Sequence, residues 1–252
     1  GFIESVPTFA DMNGDGDMDL LLGWSYGETN YYENIPKFIN NGTFTELYQA
    51  SNPLYGFDVG STSTPTFADI DNDGDFDAFV GNYNGTINYF QNTGSAATPT
   101  FVERTGVNNS LDAVKVVGGC CGGYYSSPSF ADIDNDGDLD FFAGGYYGTI
   151  EYYENTGTAA NPAFTEQTGV DNPLNGFTAS NYHAPIFADI DNDGDLDFFL
   201  GNSSYYENMG SAASPAFVEQ TGVDNPLDGF NGWADTIGDF DNDGDLDIVT
   251  GS

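Results

Sequence analysis

The sequence predicts an all-β fold, a β-propeller of four-stranded antiparallel blades, with four blades complete and half of a fifth. Three observations carry this. An acidic stretch typified by FADIDNDGDLDFF, Phe187 to Phe199, recurs five times in 252 residues. Each copy opens a unit of the same internal order, in which short aromatic and β-branched runs alternate with turns bearing Gly and Asn, the composition of strands and hairpins. No long segment carries the 3.6-residue period of an amphipathic helix. Units of about 40 to 50 residues with four short strands each are the pattern of propeller blades.

The copies are FADMNGDGDMDLLLG (Phe9 to Gly23), FADIDNDGDFDAFVG (Phe67 to Gly81), FADIDNDGDLDFFAG (Phe130 to Gly144), FADIDNDGDLDFFLG (Phe187 to Gly201) and IGDFDNDGDLDIVTG (Ile237 to Gly251). Their first aspartates, Asp11, Asp69, Asp132, Asp189 and Asp239, are 58, 63, 57 and 50 residues apart. One repeat domain therefore spans 1–252, with blades at 1–57, 58–119, 120–177 and 178–230 and a partial blade at 231–252. Within a unit the first strand runs into the acidic loop, which lies between strands 1 and 2, and the second is the apolar run closing on Gly. A turn, NYNGT (Asn82 to Thr86) or GYYGT (Gly145 to Thr149), leads to a third strand, INYFQN or IEYYEN. NTGSAATPTFVERTG (Asn92 to Gly106) then reads as a loop and a fourth strand. The connector DNPLNGF (Asp171 to Phe177) returns as DNPLDGF (Asp224 to Phe230) and, more loosely, as SNPLYGF (Ser51 to Phe57). In the fourth unit GNSSYYEN (Gly201 to Asn208) replaces the longer GNYNGTINYFQN, which trims a hairpin tip and keeps the strand.

Forty acidic against three basic residues give a formal charge of -37, yet 39% of residues are hydrophobic and 15% aromatic, enough for a core. Lys37, Arg104 and Lys115 are scattered, which argues against nucleic acid and anionic membrane surfaces, since both require cations to neutralise phosphate. No apolar run reaches the length that spans a bilayer, and the opening GFIESVPTF lacks a charged and then apolar leader; the expectation is a mature chain or an excerpt. Cys120 and Cys121 are adjacent, and their redox state is left open by spacing.

The acidic loop explains the charge. Oxygen-bearing residues alternate along it, so that their side chains gather on one side of a tightly curled backbone, and Gly at the sixth position permits the turn. Hard oxygen donors without His or Cys favour calcium over zinc or copper, and a flexible many-oxygen loop favours it over magnesium. An EF-hand would need Glu at the twelfth position and a helix on each side. The twelfth residues here are Leu22, Val80, Ala143, Leu200 and Thr250, so the aspartate at the ninth position is expected to close the site.

D-x-D-x-D-G-x-x-D between two strands, at blade-like spacing, resembles the FG-GAP/VCBS family of β-propeller repeats, and integrin alpha-chain head domains carry calcium loops of this kind. The resemblance implies about five Ca2+ sites, with side chains from the first, third, fifth and ninth positions and the backbone carbonyl of the seventh. Those positions are Asp11, Asn13, Asp15, Asp17 and Asp19; Asp69, Asp71, Asp73, Asp75 and Asp77; and Asp132, Asp134, Asp136, Asp138 and Asp140. In the last two copies they are Asp189, Asp191, Asp193, Asp195 and Asp197, then Asp239, Asp241, Asp243, Asp245 and Asp247. Asn13 takes one charge from the first site, which is expected to bind more weakly.

These loops lack a bistable helix pair to drive, so calcium is expected to be a structural staple. Ligand contact is sought among the turn aromatics Trp24, Tyr26, Tyr83, Tyr146, Tyr147 and Trp233, whose rings are suited to stacking on sugars or anchoring a protein. Phe9, Phe67, Phe130 and Phe187 read as packing between blades. His183 is the only His, without evident catalytic partners, and the close carboxylate pairs belong to the calcium loops. A non-enzymatic extracellular or cell-surface module is therefore expected, for adhesion to or binding of a protein or polysaccharide. The alternatives are a subunit of a surface filament or layer whose half-blade is completed by a neighbouring chain, and a carbohydrate-binding, lectin-like propeller. The sequons at Asn41, Asn84 and Asn202 suit a secreted eukaryotic chain.

Overall fold

The second strands of the second, third and fourth units are apolar at nearly every position because they are covered on both faces. The structure, a computed structural model, describes residues 6–23, 26, 28–35, 43–47, 51–116, 125–178, 183–201, 204–229, 233–239 and 245–251. The first sheet holds β1 (Val6–Ala10), β2 (Asp19–Gly23), β3 (Thr29–Ile35) and β4 (Thr43–Glu46), and the second β5 (Thr64–Ala68), β6 (Asp77–Gly81), β7 (Ile87–Asn92) and β8 (Phe101–Arg104). The third holds β9 (Ser127–Ala131), β10 (Asp140–Gly144), β11 (Ile150–Asn155) and β12 (Phe164–Gln167). The fourth holds β13 (Ile186–Ala188), β14 (Asp197–Leu200), β15 (Ser204–Asn208) and β16 (Phe217–Gln220), and β17 (Trp233–Gly238) pairs with β18 (Asp247–Gly251) in a two-stranded fifth. All pairings are antiparallel between sequence neighbours. This is the expected β-propeller, and the shortened fourth unit keeps its third strand paired with β14.

First strands stand next to one another: β5 lies beside β1 and β9, and β17 lies beside both β13 and β1. The two-stranded sheet thus occupies the place between the fourth sheet and the first. Because side chains alternate along a strand, each middle strand serves two neighbours. Ala78 and Val80 of β6 join the cluster shared with the first blade, while Phe79 joins that shared with the third. Phe141 and Ala143 of β10 face the second blade, and Phe142 faces the fourth. The core consequently lies between blades. Leu54, Leu111, Leu174 and Leu227, from the NPL connectors or their equivalents, plug the same gaps. Each is placed by the preceding Asn, whose Oδ1 accepts the Leu N–H at 2.8 to 2.9 Å.

The Gly that closes the middle strand is a contact requirement. A Cβ on Gly23, Gly81 or Gly144 would overlap the carbonyl oxygen of Ser63, Ser126 or His183, the residue leading into the next blade. Successive hairpins alternate ends, so the acidic loops lie at one end of the blades and the turns between second and third strands lie at the other.

Candidate functional site

The acidic loops are built by their own backbone. Asp69 accepts the N–H groups of Asp73 and Gly74, both at 3.0 Å, and Asp132 does the same for Asp136 and Gly137. Asp189 repeats this with Asp193 and Gly194 at 3.1 Å, and Asp11 with Asp15 and Gly16 at 3.0 and 2.9 Å. The sixth-position glycines of the first four loops, Gly16, Gly74, Gly137 and Gly194, have φ from +92° to +97°, a conformation L side chains rarely adopt. The fourth position is left-handed too: Asn72, Asn135 and Asn192 have φ from 54° to 60°, and Gly14 has 69°. Asn tolerates that region better than most residues, which accounts for the recurring D-N-D-G.

The curl gathers Asp69, Asp71 and Asp73; Asp132, Asp134 and Asp136; and Asp189, Asp191 and Asp193, with one carboxylate oxygen of each residue within 4.8 Å of the others in its triplet. Burial, reinforced by the charge of Asp73, holds the Asp71 carboxyl above the usual range, and Asp134 is raised by burial and by Asp136. Asp71 Oδ2 accepts from Gln91 at 2.7 Å, whereas its Oδ1 is buried with no hydrogen-bond partner. An anionic oxygen in that position fits a cation. The first loop shares the backbone arrangement, with the Asn13 amide oxygen accepting the Asp15 N–H at 3.0 Å. Of the fifth loop, Asp239, Asp245 and Asp247 are described, and Asp241 and Asp243 lie outside the described residues.

The ninth aspartates of the first four loops, Asp19, Asp77, Asp140 and Asp197, are buried at the start of the middle strand, whereas Asp247 of the fifth is exposed. Asp77 Oδ1 accepts the Asn92 N–H at 2.7 Å and its Oδ2 accepts the Tyr89 hydroxyl at 2.8 Å. Asp140 uses Asn155 at 2.7 Å and Tyr152 at 3.1 Å, Asp197 uses Asn208 and Tyr205, and Asp19 accepts from Tyr31. The Asn side chains pass the linkage on: Asn92 Oδ1 accepts from Gly94 and Thr100, which folds the loop ahead of the fourth strand. One carboxylate thus ties the acidic loop to two further strands.

Burial pushes the Asp77 and Asp140 carboxyls from 3.8 up to about 7, against the pull of the Asn N–H and Tyr hydroxyl donors. A folded-state value above the unfolded one gives stability that is fully present below the unfolded value and lost as pH rises through the folded one. Calcium-free protein, prepared by exhaustive dialysis, should therefore melt at a higher temperature at pH 5 than at pH 8. Equal or inverted melting temperatures would remove these two carboxyls from the account. Excess calcium, which competes with protons for neighbouring carboxylates, should diminish the difference.

Three of the turn aromatics meet. Tyr83, in the turn before β7, packs on Tyr125 at 4.9 Å between ring centroids; Tyr125 packs on Tyr146 at 5.6 Å, and Tyr146 on Tyr147 at 5.1 Å. This row crosses from the second blade to the third at the end away from the acidic loops. Tyr125 has no motif to mark it in the sequence. Its N–H bonds to the Tyr83 carbonyl at 3.2 Å, an inter-blade contact. Tyr26 is 82% exposed in the first blade's turn, apart from the row. Trp24, Cys120 and Cys121 lie outside the described residues, as does the side chain of Trp233. His183 is held neutral by burial, which lowers its pKa to about 4.

A family model described as FG-GAP-like repeat matches residues 11–80, 69–143 and 132–200. No curated protein matches the sequence. Among solved structures, the chain is similar to an Agrocybe aegerita lectin described as recognising non-reducing terminal N-acetylglucosamine, at 19% identity and a TM-score of 0.48. The match covers 98% of this chain and 61% of the lectin, so the chain spans about three fifths of that protein's length.

Proposed function

The chain belongs to the FG-GAP-like repeat family, and from that premise we propose that it is an extracellular, calcium-binding propeller module that engages a protein or polysaccharide and carries out no catalysis. The observation that carries the metal reading is the buried, unpartnered Oδ1 of Asp71 within a carboxylate triplet. Each ion would be held by the first, third and fifth side chains, with the seventh carbonyl and the ninth carboxylate completing an oxygen shell. When bound, calcium supplies charge neutralisation that lets the loop and the strand behind it pack. Sites of this type in extracellular modules bind at roughly 0.1 to 1 mM, an affinity suited to surroundings where calcium is millimolar. The binding role is supported by the aromatic side chains exposed on the turns, Tyr26 and Tyr147, and the non-catalytic reading by the half-buried position of the only His, whose lowered pKa keeps its imidazole neutral.

Equilibrium dialysis with radioactive calcium tests the metal reading. Wild-type protein is expected to bind at least three ions, and Asp71→Asn to bind one fewer or to weaken one site by about tenfold, a cost of about 1.4 kcal/mol. An unchanged isotherm for the variant, or no saturable binding by the wild type, would overturn it.

A further inference from the structure

We infer that the tyrosine row Tyr83–Tyr125–Tyr146–Tyr147 is a binding surface for a neutral polysaccharide. The inference rests on the reading of the protein as a ligand-binding module and supplies its site and ligand class. The row is not needed to hold its blades together. Phe79 and Phe130 already bridge the same junction in the core at 4.5 Å. The next junction is bridged by Phe142 and Phe187 at 4.6 Å, where the fourth blade's turn is cut short. Tyr147 is 52% exposed, and the other three rings are half-buried.

The platform is stiff. Asn82 Nδ2 donates to the Val59 carbonyl at 3.1 Å and to Thr86 at 2.8 Å, while its Oδ1 accepts the Asn84 N–H at 2.9 Å, which fixes the turn carrying Tyr83. Backbone bonds from Gly145 to Thr149 and from Gly148 to Gly145 fix the turn carrying Tyr146 and Tyr147. A surface ordered before binding loses little freedom on association.

The ligand class follows from the chemistry of the face. Tyrosine joins an apolar ring to a polar tip, matching the alternation of C–H faces and hydroxyls along a sugar chain. The exposed side chains beside the rings, Asn84, Thr86 and Thr149, are neutral hydrogen-bonding groups. A chain charge of -37 opposes acidic polymers. Lys115, next to the Val116 whose N–H bonds to the Gly85 carbonyl, is a single cation against a repeating charge.

Affinity electrophoresis of the calcium-loaded full chain through gels containing laminarin, galactomannan or xylan tests this, with alginate and a proline-rich peptide as competing classes. Retardation by at least one neutral polymer is expected, with at least tenfold weaker binding for Tyr147→Ala and for Tyr83→Ala. Tyr26→Ala, outside the row, should bind as wild type, and all three variants should keep the wild-type melting temperature with calcium. Tyr147→Phe, which retains the ring, is expected to keep most of the affinity and guards against a folding defect in the alanine variant. No retardation by any neutral polymer overturns the proposal, as does retardation that the row substitutions leave unchanged. Binding of alginate or the peptide alone overturns the ligand class while leaving the module's binding role standing, and the calcium isotherm is unaffected by every one of these results.

Discussion

Stripping calcium from the protein is expected to lower its melting temperature by on the order of 20 °C. With free calcium at 100 times the dissociation constant, about 10 to 100 mM for sites of about 0.1 to 1 mM, each site would add about 2.7 kcal/mol, so the three carboxylate triplets together would add about 8 kcal/mol. A domain's whole stability is about 5 to 15 kcal/mol, and for a chain of this size each kcal/mol moves the midpoint by about 2 to 4 °C. The loss has a second source. Without metal, Asp71 and Asp134 are held above their normal range by burial and by their neighbours, and the carboxylates behind them are pushed up as well. Scanning calorimetry in calcium and in chelator measures the shift, and re-addition of calcium should restore the midpoint better than equimolar magnesium, whose stricter geometry suits a curled loop poorly. A shift of only a few degrees would leave the metal without its structural role.

Gly81→Ala is the point substitution expected to cost most, about 3 kcal/mol or more, at the top of the range for overpacked positions. Its new methyl would overlap the Ser126 carbonyl oxygen and lie 2.8 Å from the carbonyl carbon and 2.5 Å from Thr64 Oγ1. Neither neighbour can yield cheaply. The Ser126 carbonyl accepts the Thr64 hydroxyl, and the Ser126 N–H and hydroxyl donate to the Asn82 carbonyl. Relief requires moving the third blade off the second. Gly106→Ala is the control: φ is +58° and a Cβ there meets open space, so only backbone strain of about 1 kcal/mol is expected. Chemical denaturation in saturating calcium compares them; equal losses for the two would show that inter-blade contact at Gly81 carries no special weight.

Much of the fold was legible because its determinants are local and repeated. The loop spacing, the Gly at the sixth position and the aromatic runs named the strands and their order. The doubly apolar second strand, as in DFFAG of β10, was legible as a strand, but which residue faces which neighbour depends on the stacking of blades. The tyrosine that grips the ninth aspartate in each of the first four loops was hidden for a related reason. It stands twelve residues on in Asp77–Tyr89 and Asp140–Tyr152, but eight in Asp197–Tyr205, where the shortened turn removes four residues without disturbing the clamp. Tyr125 was invisible because its partner ring at Tyr83 comes from another blade. The connector leucines were similarly concealed within what reads as a polar turn, since their burial is created by two sheets meeting. Conversely, the valines of the neighbouring 3-10 turns, Val107, Val170 and Val223, are apolar in sequence and stand fully exposed.

The alternation along the middle strands has a consequence for how such a chain can change over generations. The second, third and fourth blades each offer aromatic groups on both sides, with Phe142 on one face of β10 and Phe141 and Ala143 on the other. Neighbouring blades are therefore near-equivalent tiles, and a duplicated or excised tile brings surfaces that already match those it newly meets. The sequence can lengthen or shorten by whole units while each remaining seam keeps its chemistry, and the turns at the rim are left free to diverge one blade at a time.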